Sequence, residues 1–300
     1  MYNSATLTNN LGILTMAPLK ITHFETKISL AHELAKYGIG KNLLTVGTDA
    51  KTVKGEKLGY TTAILYLKPD LQFCPMSEKA GCDKACLVSA GRGRFNSVKT
   101  ARLNKSKLYR LDPELFFSAL VKQISDLQVK HGSALVVRLN GTSDLPFHLV
   151  PIEVKGIVYQ SIMDYFKDVQ FYDYTKVYTR ASHALPANYD MTLSYSEANS
   201  DYANKVISAA IKTGKRVSVV FNGAMPSTYK GFNVIDGDDT DLRFLDDSNC
   251  IVGLKAKGEA KKDTSGFVIH TEHKTQVKRK SFKNPPAFKG RYYAPEYMLI

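Results

Sequence analysis

The run Ala134-Leu-Val-Val-Arg-Leu139 passes directly into Asn140-Gly-Thr-Ser-Asp144. An aliphatic stretch that ends on a polar, glycine-bearing turn reads as a buried strand and the loop at its carboxyl end. The same unit recurs along the chain. Tyr60–Leu67 leads to Cys74–Cys86, and Val169–Tyr174 leads to the segment Tyr174-Thr175-Lys176. Met191–Ser194 leads to Ser194-Tyr195-Ser196-Glu197, Arg216–Phe221 to Asn222-Gly223, and Cys250–Leu254 to Lys255-Ala256-Lys257. Helical patterns lie between, at Ser97–Leu111, Pro113–Val129, near Tyr159–Phe166 and near Ala198–Thr213. Asp112 is placed to cap the second of these, with Pro113 at its first position.

Short apolar strands alternating with helices predict βαβ units and a parallel sheet. The expected fold is α/β, a (β/α) barrel or partial barrel of about six parallel strands. No G-x-G-x-x-G follows the first strand, which argues against a dinucleotide fold. Upstream, Lys27–Tyr37 reads as a helix, and the polar, glycine-punctuated Gly47–Gly59 reads as a loop. The domain plan is an N-terminal extension over 1–45, the α/β unit over 46–269, and a basic tail over 270–300.

In parallel α/β folds ligands sit at the carboxyl ends of the strands, so the polar post-strand loops define one expected site. Its catalytic candidates are Asn140, Asp144, Lys176 and Glu197. The loop after the first strand carries Cys74-x7-Cys82-x3-Cys86. Three thiolates in one loop have the donor chemistry of a metal site that leaves one position vacant. The spacing is neither a paired zinc ribbon nor C-x3-C-x2-C. An iron–sulfur cluster, zinc, and three small buried hydrophobes without metal all stay open. Cys250 begins a strand, at the opposite end from these loops, and is expected to be an ordinary buried cysteine.

The 300 residues contain 44% hydrophobic residues and carry a formal charge of +13. No segment approaches the roughly 20 apolar residues of a membrane span. Met1–Leu19 has no secretory pattern, and four cysteines are too few for a disulfide scaffold. A cytoplasmic location is the expectation. The positive charge is uneven: Lys79–Arg110 holds nine basic residues against the single acid Asp83. Such clustering is the footprint of nucleic acid or a phosphorylated small molecule as partner, or else a solvated basic face. Arg92 and Arg94 interleave with glycines, Arg102 and Lys105 follow one turn apart, and Lys255, Lys257, Lys261 and Lys262 form a second set. These are the candidate anion-binding residues.

Other motifs are weaker. Asp236-Gly-Asp238-Asp239-Thr-Asp241 offers four carboxylates to magnesium or calcium, but it lacks the EF-hand pattern, and it equally suits pairing with Arg243 and nearby lysines. The lysine-rich loop has no P-loop order, and neither G-x-S-x-G nor H-E-x-x-H occurs.

Gly81-Cys82-x3-Cys86 with Ser89-Ala-Gly-Arg-Gly93, Arg138–Asp144, Gln170–Lys176, Asp236–Arg243 and Val252–Gly258 together resemble phage and prophage proteins of the gene product 88-like kind. The resemblance spans roughly residues 45–268. It implies a phage origin, hence the host cytoplasm, and a cysteine-anchored α/β domain; it carries no catalytic role with it. More distantly, the chain resembles radical S-adenosylmethionine barrels, from whose cysteine spacing it departs. That resemblance implies an iron–sulfur cluster on Cys74, Cys82 and Cys86 and S-adenosylmethionine as cofactor. The methionyl end would meet the loop bearing Thr142 and Ser143, the ribose Ser194 and Ser196, and the adenine Asn222. The two function classes expected are a metal-dependent, radical-type enzyme acting on a nucleotide or nucleic acid, and a non-enzymatic nucleic-acid-binding protein with a structural zinc or cluster.

Overall fold

The computed structural model describes residues 6–8, 14–47, 50–83, 86 and 91–272. Ten strands form its main sheet: β1 (Leu44–Val46), β2 (Thr61–Leu65), β3 (Leu135–Arg138), β4 (Gln170–Thr175), β5 (Tyr189–Ser194), β6 (Val217–Asn222), β7 (Thr228–Tyr229), β8 (Phe232–Asp236), β9 (Ile251–Lys255) and β10 (Val268–His270). The spatial order is β7-β8-β9-β6-β5-β4-β3-β2-β1. From β2 through β8 every neighbouring pair is parallel, whereas β1 and β7 join the edges antiparallel. Strands β2, β3, β4, β5 and β6 thus lie side by side in chain order. The expected α/β class holds; of the expected barrel or partial barrel, the structure shows an open, mixed sheet, in which no pairing among the described residues joins β1 to β7.

One strand has three partners. The start of β6 pairs with β5 and its full length with β9, while its end, Val220–Asn222, pairs with β10. The sheet therefore forks between β5 and β6, and the last strand fills the fork.

Period-2 alternation sorts the side chains between two faces. One face carries Ala63, Leu65, Leu135, Val137, Phe171, Met191, Leu193, Val217 and Val219, all buried. Helices cover it. Of α1 (Lys27–Ala35), α2 (Ala50–Glu56), α3 (Asn96–Leu111), α4 (Pro113–His131), α5 (Ile162–Tyr165) and α6 (Ser200–Thr213), α2 packs beside Thr62 and Leu242 on the opposite face and the others supply the second layer. Asp112 does cap α4, its carboxylate accepting from Leu115 N at 2.9 Å, with Pro113 in the first turn. Phe116, Phe117, Leu120 and Ile124 of α4 are fully buried in the main core. Each such phenylalanine contributes about 2 kcal/mol through burial. Leu30 and Leu34 of α1 join the same cluster, so the N-terminal residues pack into the α/β core.

Two segments differ from expectation. Gly47–Gly59, read as a loop, contains α2. Gly55 marks close packing here, since a Cβ there would lie 2.8 Å from Thr62 Oγ1 on β2. The helix near Tyr159–Phe166 shrinks to α5, because a hairpin precedes it. Ile152–Val154 and Ile157–Tyr159 pair antiparallel across Lys155-Gly156, both at positive φ (50° and 79°). That two-residue turn matches the right-handed twist of its strands.

The other face of the sheet is polar and aromatic: Thr62, Arg138, Tyr172, Tyr174, Asp190, Thr192, Ser194 and Ser218. The chain between β8 and β9 folds back across it. Arg138 Nη1 pairs with Asp241 at 2.9 Å, and its guanidinium lies 4.6 Å from the Tyr174 ring centroid. Arg243, fully buried, pairs with Asp246 at 3.2 Å. Arg216 donates to Asp246 O at 2.6 Å and pairs with Asp190. Leu242 and Phe244 fill the space beside Tyr60 and Tyr172. Burial opposes the Arg138 charge, but Asp241 and the neighbouring tyrosines outweigh it and raise its pKa above the ordinary arginine value.

Removing one member of such a buried pair strands the other charge. Asp241→Ala is expected to lower unfolding free energy by roughly 3–5 kcal/mol in urea titration, with Arg138→Met/Asp241→Leu recovering much of the loss.

Candidate functional site

The carboxyl ends of β2 to β6 and β9 open on a cavity of about 810 Å³. Two hydrogen-bonded loops build its wall. Asn140 organises the first: its Oδ1 accepts from Ser143 Oγ and Leu145 N, both at 2.8 Å, and its Nδ2 donates to Leu145 O at 3.0 Å. Asn140 N donates to Asp173 Oδ1 at 2.7 Å. Asp144 spends both oxygens, pairing with Arg180 at 2.6 Å and accepting from Thr175 Oγ1 and Lys176 N, each at 2.8 Å. Gly141 lies against β2, where a Cβ would come 2.6 Å from Leu65 O.

This loop holds the cysteine loop. Thr142 Oγ1 donates to Leu67 O at 2.5 Å, Asp144 N to Phe73 O at 2.7 Å, and Cys74 Sγ lies 3.7 Å from Thr142 O. From the other side Ser265 Oγ donates to Gly81 O at 3.1 Å. From Pro75 to Asp83 the chain is a run of turns, with Cys82 N donating to Ser77 O.

Cys74, Cys82 and Cys86 all line the cavity, and no disulfide joins them. Burial pushes the Cys74 thiol up to about 12 and raises Cys82 as well, against the pull of Lys176. Lys176 Nζ donates to Ser194 Oγ at 3.1 Å and lies 5.4 Å from the Phe267 ring centroid. Burial works against its charge, and Cys82, Asp144 and Cys74 outweigh that and raise its pKa. Among the described residues no group of three or more His, Cys, Asp or Glu side chains is gathered to hold a metal ion. The donor set is that of a soft metal; the placement of the thiols is not.

The remaining candidates separate clearly. Asn140, Thr142, Ser143, Asp144, Lys176 and Ser194 line the cavity, as do Arg92, Arg102, Lys105, Lys255 and Lys257. Glu197 faces elsewhere, accepting from Tyr195 and Tyr229 and pairing with Lys230 at 2.9 Å. Ser196 donates to Gly266 O and Asn222 to Lys261 O, both outside the cavity lining. Arg94, Lys261 and Lys262 are exposed and also outside it. The acidic loop is not a cation site. Asp236 pairs with Lys255 at 3.5 Å, Asp238 with Lys257 at 2.6 Å, and Asp241 with Arg138, so its carboxylates serve as counterions. Lys54 donates to Asp238 O at the same rim. Cys250 is buried at the far end of β9, donating to Asp247 O, as expected. Ser89 and Ala90 of the glycine–arginine motif, His273 and the tail to Ile300 lie outside the described residues.

Tyr174, placed by the sequence in the post-strand loops, lines the cavity; Arg138, Lys54 and Tyr66 also line it and escaped the sequence reading. Arg138 had a signal, a lone charge inside an apolar strand, which demands a buried partner. Lys54 had none, because its helix was read as a loop.

The family described as Gene product 88 matches residues 41–271, and the chain belongs to that family. This supports the phage gene-product resemblance; the radical S-adenosylmethionine resemblance gains no support. No curated protein and no solved structure gives a significant match. No helix among the described residues is long and apolar enough to cross a membrane.

The loop's anchor, Asp173, has a titration that can be followed. Burial pushes its carboxyl up to about 7, against the opposing effects of Arg138, Asn140 and Tyr189. Between the ordinary value of 3.8 and 7 the folded chain keeps a proton that the unfolded chain releases. Stability therefore falls as pH rises through that window, by up to about 1.4 kcal/mol per pH unit. Thermal melts from pH 4 to 8 are expected to show this fall in the native chain and its loss in Asp173→Asn.

Proposed function

We propose that this Gene product 88 family member is an enzyme that takes a small phosphorylated ligand, of nucleotide class, into the cavity at the strand ends. One observation carries the reading: three thiols, Lys176 and several further cations line one cavity of about 810 Å³. Ligand pockets of α/β folds have that size and position. We read the run of parallel strands in chain order as an incompletely closed barrel whose mouth is this cavity.

Within it, Asn140 and Asp144 are positioning residues, since their polar atoms are spent on the loop and on Arg180. Lys176 and Ser194 are the polar pair that faces the ligand space beside the thiols. Cys74, Cys82 and Cys86 are the residues that would hold an iron–sulfur cluster or zinc. Such a group would supply electron transfer or Lewis acidity, and S-adenosylmethionine enters the proposal only with a cluster. Since the thiols are not gathered, no step is derived through it. The host cytoplasm is the proposed location.

Metal and acid-labile sulfide analysis of anaerobically purified protein tests the thiol wall. Iron with sulfide that disappears in the Cys74→Ala/Cys82→Ala/Cys86→Ala variant is the result expected of a cluster enzyme. Zinc alone, or no metal, removes the radical reading. The alternative, a nucleic-acid-binding protein, requires duplex affinity that falls with salt by a slope near −0.9 per phosphate contacted. Strong, steeply salt-dependent duplex binding by the triple variant would favour it over the enzyme.

A further inference from the structure

Helix α3 turns one stripe toward the cavity: Ser97, Ala101, Arg102 and Lys105. Lys105 is only 9% exposed. Its Nζ donates to Leu43 O at 2.6 Å, which uses one of the three donors an ammonium carries. No carboxylate pairs with it among the described residues. The charge acting on it is that of Arg102, a second cation one turn earlier, whose guanidinium lies 5.2 Å from the Tyr66 ring centroid. Burial and Arg102 together push Lys105 down to about 8, so much of its charge persists at neutral pH.

A buried ammonium facing a guanidinium is unfavourable by itself, through both desolvation and repulsion. A methionine would fill the same channel without either penalty. Three other cations of the cavity have carboxylate counterions: Arg138 has Asp241, Lys255 has Asp236 and Lys257 has Asp238. Among the described residues no carboxylate compensates the charge at Lys105. A dianionic group would compensate it, meeting a planar guanidinium fork and a point charge at once.

We propose that the Arg102–Lys105 end of the cavity is a phosphate-binding position, where the phosphoryl group of the ligand is the counterion for Lys105. The assignment rests on the reading of the cavity as a ligand site, and it adds the chemical group and the end that group occupies. It also orients the ligand: the phosphate sits against α3, and the remainder extends toward Tyr174 and the thiol wall.

Calorimetric titration of the full chain with inorganic phosphate at low ionic strength and pH 7 tests it. Millimolar or tighter binding is expected, weakened at least tenfold by Lys105→Met and by Arg102→Gln, and unchanged by Lys262→Ala at the exposed surface. Without phosphate, Lys105→Met is expected to melt no lower than the native chain, so lost binding does not reflect lost folding. Unchanged phosphate affinity in Lys105→Met, or no phosphate binding by the native chain, would overturn the assignment. Neither result touches the thiol wall, whose test is metal content, and phosphate binding requires no metal.

Discussion

A guanidinium inside a sheet is tolerable only if the fold brings it an anion. Arg138 ends β3 on the polar face of the sheet, and Asp241 supplies that anion from a segment about a hundred residues later in the chain. The pair fixes where the chain between β8 and β9 must run. Once it lies there, Arg243, Asp246, Arg216 and Asp190 complete one another across the same face. Leu242 and Phe244 are carried into the apolar gap between Tyr60 and Tyr172. One end of the face is thereby filled, and the other, toward the strand ends, stays open as the cavity. Charge pairing decides which part of this face becomes core and which becomes site.

The wall of the cavity is a second level of the same logic, built from hydrogen bonds within one loop and a second buried ion pair. Asn140 closes its own loop and ties it to Asp173, and Asp144 ties it to Arg180 and the β4 end. The loop in turn grips Phe73 and Leu67, which flank the start of the cysteine loop. Residues that look catalytic by type, an asparagine and an aspartate after a strand, are here the frame that gives the thiols and Lys176 their positions.

Much of this was legible in the sequence, and what was missed has a physical reason. Apolar runs bounded by turns located β2 to β6 and β9, because burial on both faces demands continuous hydrophobicity. Asp112-Pro113 announced α4 through local capping chemistry, which needs no tertiary context. The cysteine loop and the NGTSD loop did meet at one cavity, since strand-end geometry is a rule of parallel sheets. Four strands, β1, β7, β8 and β10, escaped: β1, β7 and β10 have two or three residues, too few for a period, and Asn233 and Asp236 break the apolar run of β8. Helix α2 was hidden because its composition is polar and its glycine serves packing, a fact set by β2 rather than by the helix itself. Glu197 and Asn222 followed strands as expected, yet the fork in the sheet turned them away from the cavity, and a fork leaves no trace in periodicity.

That fork also sets the order in which the molecule can be completed. The strand that fills it, β10, is the last element described, and the residues before it reach three distant places at once. Gly266 O accepts from Glu197 N beyond β5, Ser265 clasps Gly81 in the cysteine loop, and Phe267 faces the cavity. Closing those contacts joins segments separated by up to 184 residues, the slowest kind of contact to form. A chain emerging vectorially from a ribosome has made the other nine strands of this sheet before β10 exists. The pocket is therefore completed late: a nascent chain stopped short of residue 265 leaves the end of β6 without its β10 partner and the thiol loop without the Ser265 clasp.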